Sequence, residues 1–129
     1  MEQHIYPRHQ LGKKAEHAAK QHLEQHGLQC IEANYFCKYG EIDLIMKDKT
    51  HDNDLCIVFV EVRMKTDNSF VSSLESITRK KQMKIIRSAA HYLQKQKWFD
   101  KVRCRFDVVG VESLDAELHF HWIKNAFTS

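Results

Sequence analysis

The sequence predicts a single domain of the mixed α/β class, in which a β-sheet is flanked by helices in the order α-β-β-β-α-β-β. Two amphipathic runs have the helical period, and further strand-like runs lie on each side of the second one. The apolar run at 55–60 suits a strand that is covered on both faces. Because 129 residues fit one compact domain, we interpret residues 1–129 as a single unit.

The first helix is predicted over residues 11–26, and it ends at Gly27, a residue typical of helix C-termini. At about 100° per residue, its apolar arc contains Leu11, Ala15, Ala18, Ala19 and Leu23. Glu16 falls just beyond this arc, so its carboxylate should lie close to the boundary of the core. A surface glutamate at a helix margin is the ordinary explanation of that position.

Three strands are predicted next, at 29–36, 41–47 and 55–63, with a polar turn over 47–54. The third strand loses its apolar character abruptly, because Glu61 directly follows Val60. A polar loop over 64–76 then leads to the second helix. Two more strands, at 103–111 and 118–123, complete the order.

The second helix is predicted over 77–97, with Ser76 or Thr78 as its N-cap. Its buried stripe contains Ile85, Ile86, Ala89, Tyr92 and Leu93, and its opposite side carries Lys80, Lys84, Arg87, His91 and Lys95. Gln82 is an exception, because it is polar and lies in the apolar sector. The basic side could bind phosphates, or it could simply be the solvated face of a surface helix.

The overall composition does not select between these two interpretations, but it excludes other classes. The net charge of +3 is too small to indicate nucleic-acid binding alone. The longest apolar run, at 55–60, is far shorter than the roughly 20 residues that span a bilayer. The first ten residues are polar and lack the apolar segment of a secretory signal. We therefore expect a cytoplasmic protein that has no membrane partner.

Acidic side chains in the second and third strands are the candidates for chemistry. Side chains alternate along a strand, so Glu61 and Arg63 should share a face. By the same rule, Asp43 should project opposite to both Ile42 and Leu44. If the two strands pair as a hairpin, Asp43 and Glu61 converge near one edge of the sheet.

Two carboxylates in apolar surroundings raise each other's pKa values unless a cation compensates their charge. Mg²⁺ or Mn²⁺ is the natural cation, because hard ions prefer carboxylate oxygen and retained water. Each acid also has an ordinary explanation. Asp43 could form a turn or pair with a lysine, and Glu61 could pair with Arg63 or Lys65.

Several short motifs together carry a resemblance to a known family. In chain order they are Gly12-x-x-x-Glu16, Asn34, Gly40-Glu41-Ile42-Asp43-Leu44-Ile45, Val58-Phe59-Val60-Glu61-Val62-Arg63, Lys81-Gln82, Ala89-Ala90-x-Tyr92-Leu93 and Arg105-Phe106-Asp107-Val108-Val109. The chain resembles the YraN-like family of bacterial proteins, within the PD-(D/E)XK nuclease superfamily, and is similar to archaeal Holliday junction resolvases. The resemblance covers about residues 10–127, and its most specific parts are the blocks Gly40-Glu41-Ile42-Asp43-Leu44-Ile45 and Phe59-Val60-Glu61-Val62-Arg63.

The resemblance implies a restriction-endonuclease-like core with a divalent metal, Mg²⁺ or Mn²⁺. Asp43 and Glu61 would be its ligands, and Glu16 would be the third carboxylate, contributed by a helix. The backbone carbonyl of Val62 would complete the inner shell. Together with Arg63, the three carboxylates are the predicted catalytic residues.

Arg63 departs from the motif of the superfamily, which has a lysine at this position. Arginine stays protonated and is a poor base, but it can hold a phosphate or stabilise a charged transition state. Lys65 or Lys81 could supply the missing ammonium group. Lys81 and Gln82 would face the substrate phosphate or order the site, and the predicted nucleic-acid-binding residues are Lys65, Lys80, Lys81, Gln82 and Lys84.

The leading hypothesis is a metal-dependent endonuclease that acts on nucleic acid, primarily DNA, with branched DNA as one candidate substrate. The alternatives are a nucleic-acid-binding module without turnover and a protein-interaction domain. A homodimer would suit the symmetric cutting of two strands. Asp107 is a second-tier candidate, because Arg105 shares its strand face and a structural ion pair explains it better.

Overall fold

A computed structural model of the protein describes residues 8–48, 55–65 and 74–129, without the side chains of residues 8–11 and 65. The predicted mixed α/β class and element order are confirmed. In chain order the elements are α1 (Arg8–Gln25), β1 (Leu28–Cys37), β2 (Gly40–Asp48), β3 (Cys56–Lys65), α2 (Arg79–Lys95), β4 (Arg103–Leu114) and β5 (Glu117–Phe127). Most of the turn predicted over 47–54 and of the loop predicted over 64–76 lies outside the described residues.

The five strands form one sheet in chain order, β1-β2-β3-β4-β5. Neighbouring strands are antiparallel except β3 and β4, which are parallel. A parallel pair needs a crossover connection, and α2 lies within it. None of the described helices is long and apolar enough to cross a lipid bilayer.

The two helices cover opposite faces of the sheet, and each face has its own apolar cluster. The first cluster joins α2 to the sheet through Ile85, Ala89, Tyr92, Leu93, Ile45, Ile57 and Phe59. The second joins α1 to the sheet through Ala15, Ala19, Leu23, Leu44, Met46, Val58 and Val60. The central strands are therefore buried on both sides, as their unbroken apolar runs predict.

Where their side chains are described, both helices bury most of the predicted stripe, although Ala18 and Ile86 are only half-buried. In α1, Glu16 is half-buried beside buried Ala15, which confirms its marginal position. Thr78 is the N-cap of α2, and its side chain accepts a hydrogen bond from the backbone N–H of Lys81. His91 lies on the predicted basic side, next to Arg87, but it is not fully solvated. Its ring is half-buried and hydrogen-bonds the hydroxyl of Tyr35 on β1.

The backbone of β2 departs from regular alternation at Asp43. Ile42 packs in the cluster on the α2 face, whereas Leu44 packs in the cluster on the α1 face. In a regular strand, residues two apart share a face, so the predicted common face of these two residues was wrong. Because the change of face is centred on Asp43, this carboxylate lies where groups from both helices can act on it.

Candidate metal and phosphate site

Asp43 and Glu61 come together where β2 and β3 stop pairing. The last paired residues at this end are Leu44 and Val60, and each acid is the next residue along its strand. Their carboxyl groups hydrogen-bond each other. Asp43 Oδ2 also accepts a hydrogen bond of 2.8 Å from the backbone N–H of Val62. The predicted convergence of the two acids is therefore confirmed.

Burial changes the acidity of both groups. Glu61 is only 6% exposed, and loss of hydration, followed by the charge of Asp43, raises its pKa to about 8. Burial also raises the pKa of Asp43, although the Val62 N–H and nearby cations act in the opposite direction. Two carboxyls this close resist simultaneous ionisation, so the pair retains a proton at neutral pH.

Two cations lie beside this pair, but neither makes a close contact with it. Arg63 Nη2 is 3.7 Å from Glu61 Oε1, and Lys81 Nζ is 3.8 Å from the same oxygen. Both distances exceed a normal hydrogen bond. Among the described residues, Arg63 Nε has no hydrogen-bond partner although it is buried. The side chain of Lys65, the other candidate ammonium, lies outside the described part of the chain.

Glu16 approaches the pair from α1. Partial burial raises its pKa to about 7, and the charge of Asp43 acts in the same direction. Its side chain hydrogen-bonds Asn34 on β1. Within residues 8–48, 55–65 and 74–129, no three His, Cys, Asp or Glu side chains form a group that could hold a metal ion. Glu16 is thus close enough to influence Asp43 but does not join the pair as a third neighbouring ligand.

Asn34 was part of the motif pattern, but sequence reasoning assigned it no role. It adopts φ +55°, an uncommon backbone conformation that asparagine tolerates better than most residues. By strand register it lies opposite Asp43, between the pairs Ala33–Leu44 and Tyr35–Ile42. An asparagine inside a strand-like run is the signal that could have identified this partner of Glu16.

The remaining predicted phosphate contacts lie on α2. Lys80 and Lys84 are exposed, and they are free to meet solvent or a ligand. Gln82 is turned back toward the start of the helix. Its Nε2 donates to the Ile77 carbonyl at 3.3 Å, and its Oε1 accepts from Arg79 Nη1 at 3.0 Å. The structure does not bring Gln82 to the acid pair.

Asp107 belongs to a separate group, and its predicted ion pair with Arg105 is confirmed. Arg105 Nε donates to Asp107 Oδ1 at 3.1 Å, and Arg105 Nη1 donates to Asp48 Oδ2 at 2.6 Å. Asp107 also accepts from Trp122 Nε1 at 3.0 Å and from the backbone N–H of Asn125 at 2.9 Å. Asp48 and Trp122 were not foreseen, since their contacts depend on how distant strands align.

The donor set of the acid pair suits a hard divalent cation. Two adjacent carboxyls that share a proton offer the position where an ion could replace that proton. Mg²⁺ is commonly held by one or two carboxylates together with water. A third acidic ligand is therefore not required for Asp43 and Glu61 to hold such an ion.

Comparison with known proteins places the chain in a family. The profile of the Uncharacterised protein family UPF0102 matches residues 15–111. A UPF0102 protein of Coxiella burnetii is 41% identical over 116 residues, which are 90% of each chain. A relative from Saccharophagus degradans is 43% identical over 92% of this chain and 93% of its own. A relative from Legionella pneumophila is 40% identical over 90% of this chain and 92% of its own. The chain belongs to the UPF0102 family, the YraN-like family that its motifs resemble.

Proposed function

We propose that this protein is a metal-dependent endonuclease that hydrolyses phosphodiester bonds in nucleic acid, with DNA as its substrate and Mg²⁺ or Mn²⁺ as its cofactor. The observation that carries the proposal is the Asp43–Glu61 pair, in which the buried carboxyl of Glu61 and the half-buried carboxyl of Asp43 hydrogen-bond each other. Structural acids in a core are normally matched by close donors. Here the nearest described cations stay 3.7 and 3.8 Å from Glu61, which supports a role in binding an ion.

The roles follow from the positions of the residues. Asp43 and Glu61 would hold the metal, and we assign the carbonyl of Val62 as a further ligand because the Val62 N–H already faces Asp43. When bound, such an ion lowers the pKa of a coordinated water and neutralises charge on a phosphodiester. Glu16 lies on α1, and partial burial and the charge of Asp43 both raise its pKa. In this scheme it would orient water at the outer side of the site.

Arg63 and Lys81 would bind the scissile phosphate. Their cationic ends lie on the same oxygen of Glu61 and remain partly exposed, at 31% and 43% of the side-chain surface. A phosphate oxygen placed between them would accept hydrogen bonds that Arg63 and Lys81 do not donate to Glu61 at these distances. Because arginine cannot readily lose its proton, Arg63 stabilises charge in this scheme and does not act as a base.

The test is cleavage of labelled linear, single-stranded and four-way-junction DNA in the presence of Mn²⁺ or Mg²⁺. We expect the wild type to cut and the double variant Asp43→Asn/Glu61→Gln to show only background cleavage. Glu117→Gln, an exposed acid on β5, is the matched control and should cut like the wild type. Cleavage that persists in the double variant would refute the assigned site, and absence of cleavage by a metal-loaded wild type would refute the enzyme.

A nucleic-acid-binding module without turnover is the second candidate, and Arg63 is the observation that favours it. An arginine stands where the superfamily motif has lysine, and its guanidinium lies beside the acid that would hold the metal. Salt-sensitive binding of DNA that survives Glu61→Ala, without cleavage, would support this function. Absence of any binding at low salt would instead favour a protein-interaction domain.

A further inference from the structure

A cleft of about 370 Å³ opens between α2 and the turn that joins β1 to β2. Its lining residues are Lys38, Tyr39, Arg87, Ala90, His91 and Gln94. The volume is within the roughly 300–1,000 Å³ of typical small-ligand sites. None of the described residues that line the cleft is acidic, whereas Lys38 and Arg87 carry positive charges. The cleft is therefore suited to an anionic ligand.

The cleft also offers an aromatic surface. The side chain of Tyr39 is large and partly solvent-accessible, with 39% of the residue exposed. Lys38 Nζ lies 5.2 Å from the centroid of the Tyr39 ring, and the His91 ring meets it edge-on at 6.1 Å between centroids. Aromatic rings next to cations are the features with which proteins bind single-stranded nucleic acid, since bases stack on the ring and phosphates meet the charges.

The walls of the cleft are fixed to the elements that carry the acid pair. Gly40 has φ +143°, which favours glycine, and it lies so close to α2 that a Cβ atom there would be 3.7 Å from Ser88 Oγ. Tyr35 on β1 hydrogen-bonds His91 on α2. Since Asp43 follows Gly40 on the same strand, the cleft and the acid pair are held in one orientation.

A line of basic side chains joins the two places. Lys81, Lys84, Arg87 and His91 follow one another at intervals of three or four residues, so they lie on one side of α2. Lys81 lies beside Glu61, and Arg87 and His91 line the cleft. From Lys81 to His91 the helix advances ten residues, which is about 15 Å at 1.5 Å per residue. This distance corresponds to about four stacked nucleotides at 3.4 Å each.

We propose that this cleft binds an unpaired nucleotide of a single-stranded segment that extends along α2 from the acid pair. The phosphate would meet Lys38 and Arg87, and the base would stack on Tyr39. The inference rests on the proposed function and specifies its substrate class, nucleic acid with a single-stranded flank. A base inside an intact duplex is stacked between its neighbours and cannot offer its face to Tyr39.

The experiment measures binding in EDTA, so that cleavage does not interfere. The probes are a labelled oligothymidylate of about 15 nucleotides, close to the upper site size of single-strand-binding folds, an oligouridylate of equal length and a blunt DNA duplex. Tyr39→Ala should weaken single-strand binding roughly 5- to 100-fold, as loss of one stacking platform does, and should leave duplex binding unchanged. Tyr39→Phe keeps the ring and should bind like the wild type.

Arg87→Ala tests the phosphate contact independently. The slope of log affinity against log salt should fall by about 0.7 for the single strand, because one fewer phosphate is neutralised. Lys124→Ala removes one positive charge on β5, at the opposite edge of the sheet, and is the matched control that should retain the wild-type slope. Because Tyr39 and Arg87 are exposed, we expect their variants to fold like the wild type. Circular dichroism checks this for each variant.

The outcomes separate this inference from the proposed function. Single-strand binding that is indifferent to both Tyr39→Ala and Arg87→Ala overturns the cleft, even if the wild type cuts DNA. Binding that depends on Tyr39 in a protein that never cuts supports the cleft and refutes the enzyme. Comparison of the two single strands shows whether the bound flank is DNA or RNA, and binding of either supports the cleft.

Discussion

Two pairs of acids lie in the same sheet, and they differ in the hydrogen-bond donors that surround them. Asp48 and Asp107 share Arg105, whose guanidinium contacts them at 2.6 and 3.1 Å. Asp107 also accepts hydrogen bonds from Trp122 and Asn125, so its charge is matched by several donors although the residue is 0% exposed. This group, the Arg105 hub, has the composition of a structural ion pair.

In the second pair Glu61 is buried and Asp43 is half-buried, but the pair has a poorer set of donors. One backbone N–H serves Asp43, and the cations beside Glu61 remain 3.7 and 3.8 Å away. Instead of being matched by donors, the two carboxyls hydrogen-bond each other and hold a proton between them.

The difference separates a structural pair of acids from the pair to which we assign a functional role in the proposal above. Burial alone does not distinguish them, since all four carboxylates are largely removed from water. The number and closeness of donors does, because an incompletely matched buried charge is costly and is retained where a ligand will complete it. Three predictions test whether the two pairs truly differ in this way.

The largest effect is expected at the Arg105 hub. Asp107→Ala leaves the half-buried Arg105 with only Asp48 as a carboxylate partner, and breaking an ion pair whose acid is fully buried costs about 3–5 kcal/mol. The free energy of unfolding, measured by urea denaturation with circular dichroism, should fall by that amount. Glu117→Ala serves as the exposed control. A loss below about 1 kcal/mol, the usual worth of a surface pair, would mean that the hub is not structural.

At the Asp43–Glu61 pair, a substitution is expected to raise the free energy of unfolding instead of lowering it. Glu61 has its pKa raised from 4.5 to about 8 in the folded protein, so its contribution to stability is complete below pH 4.5 and is lost as the pH rises through 8. Glu61→Gln mimics the protonated acid and cannot ionise. Without metal, the stability of the variant relative to the wild type should increase as the pH rises from 4.5 to 8. At pH 8 the variant should be more stable by about 2 kcal/mol.

Urea denaturation at several pH values, in EDTA, measures this gain. The figure is lower than the full shift implies because Asp43 titrates together with Glu61. Glu117→Gln, the exposed control, should parallel the wild type. A constant difference between Glu61→Gln and the wild type at all pH values would contradict the shared-proton description.

The smallest change in stability is expected when the wild type binds a divalent metal ion. At a concentration ten times its Kd, Mn²⁺ should stabilise the wild type by about 1.4 kcal/mol and raise Tm by about 3–5 °C. Asp43→Asn should abolish the rise, because the ion loses one of its two carboxylates. The rise should also diminish in acid, where the ion competes with protons. An equal rise in wild type and variant would place the ion elsewhere.

Local patterns were sufficient to predict the architecture. The helical period identified both described helices, and alternation or short apolar runs identified the five described strands. The N-cap of α2 was predicted as one of two residues, and one of these, Thr78, is the N-cap. The convergence of Asp43 and Glu61 followed from hairpin pairing, and the Arg105–Asp107 pair followed from alternation. Each of these predictions depends on neighbours that are close in sequence or on adjacent strands.

Features that depend on tertiary packing were not predictable. The change of face between Ile42 and Leu44 needs a local departure from the pleat, which alternation assumes to be absent. The hydrogen bond between Asn34 and Glu16 needs a left-handed residue within a strand. His91 was assigned to solvent because its helical position is polar, but the partner that buries it belongs to β1.

The chain-order sheet has a consequence for how the two acid groups form during folding. Asp43 meets the Val62 N–H across 19 residues of β-meander, whereas Asp48 meets Arg105 across 57 residues that include the crossover. Closing a loop three times as long costs about 1 kcal/mol more in chain entropy. The half of the sheet that carries Asp43 and Glu61 is therefore held by contacts that are close in sequence, whereas the Arg105 hub joins this part of the sheet to the β4–β5 hairpin.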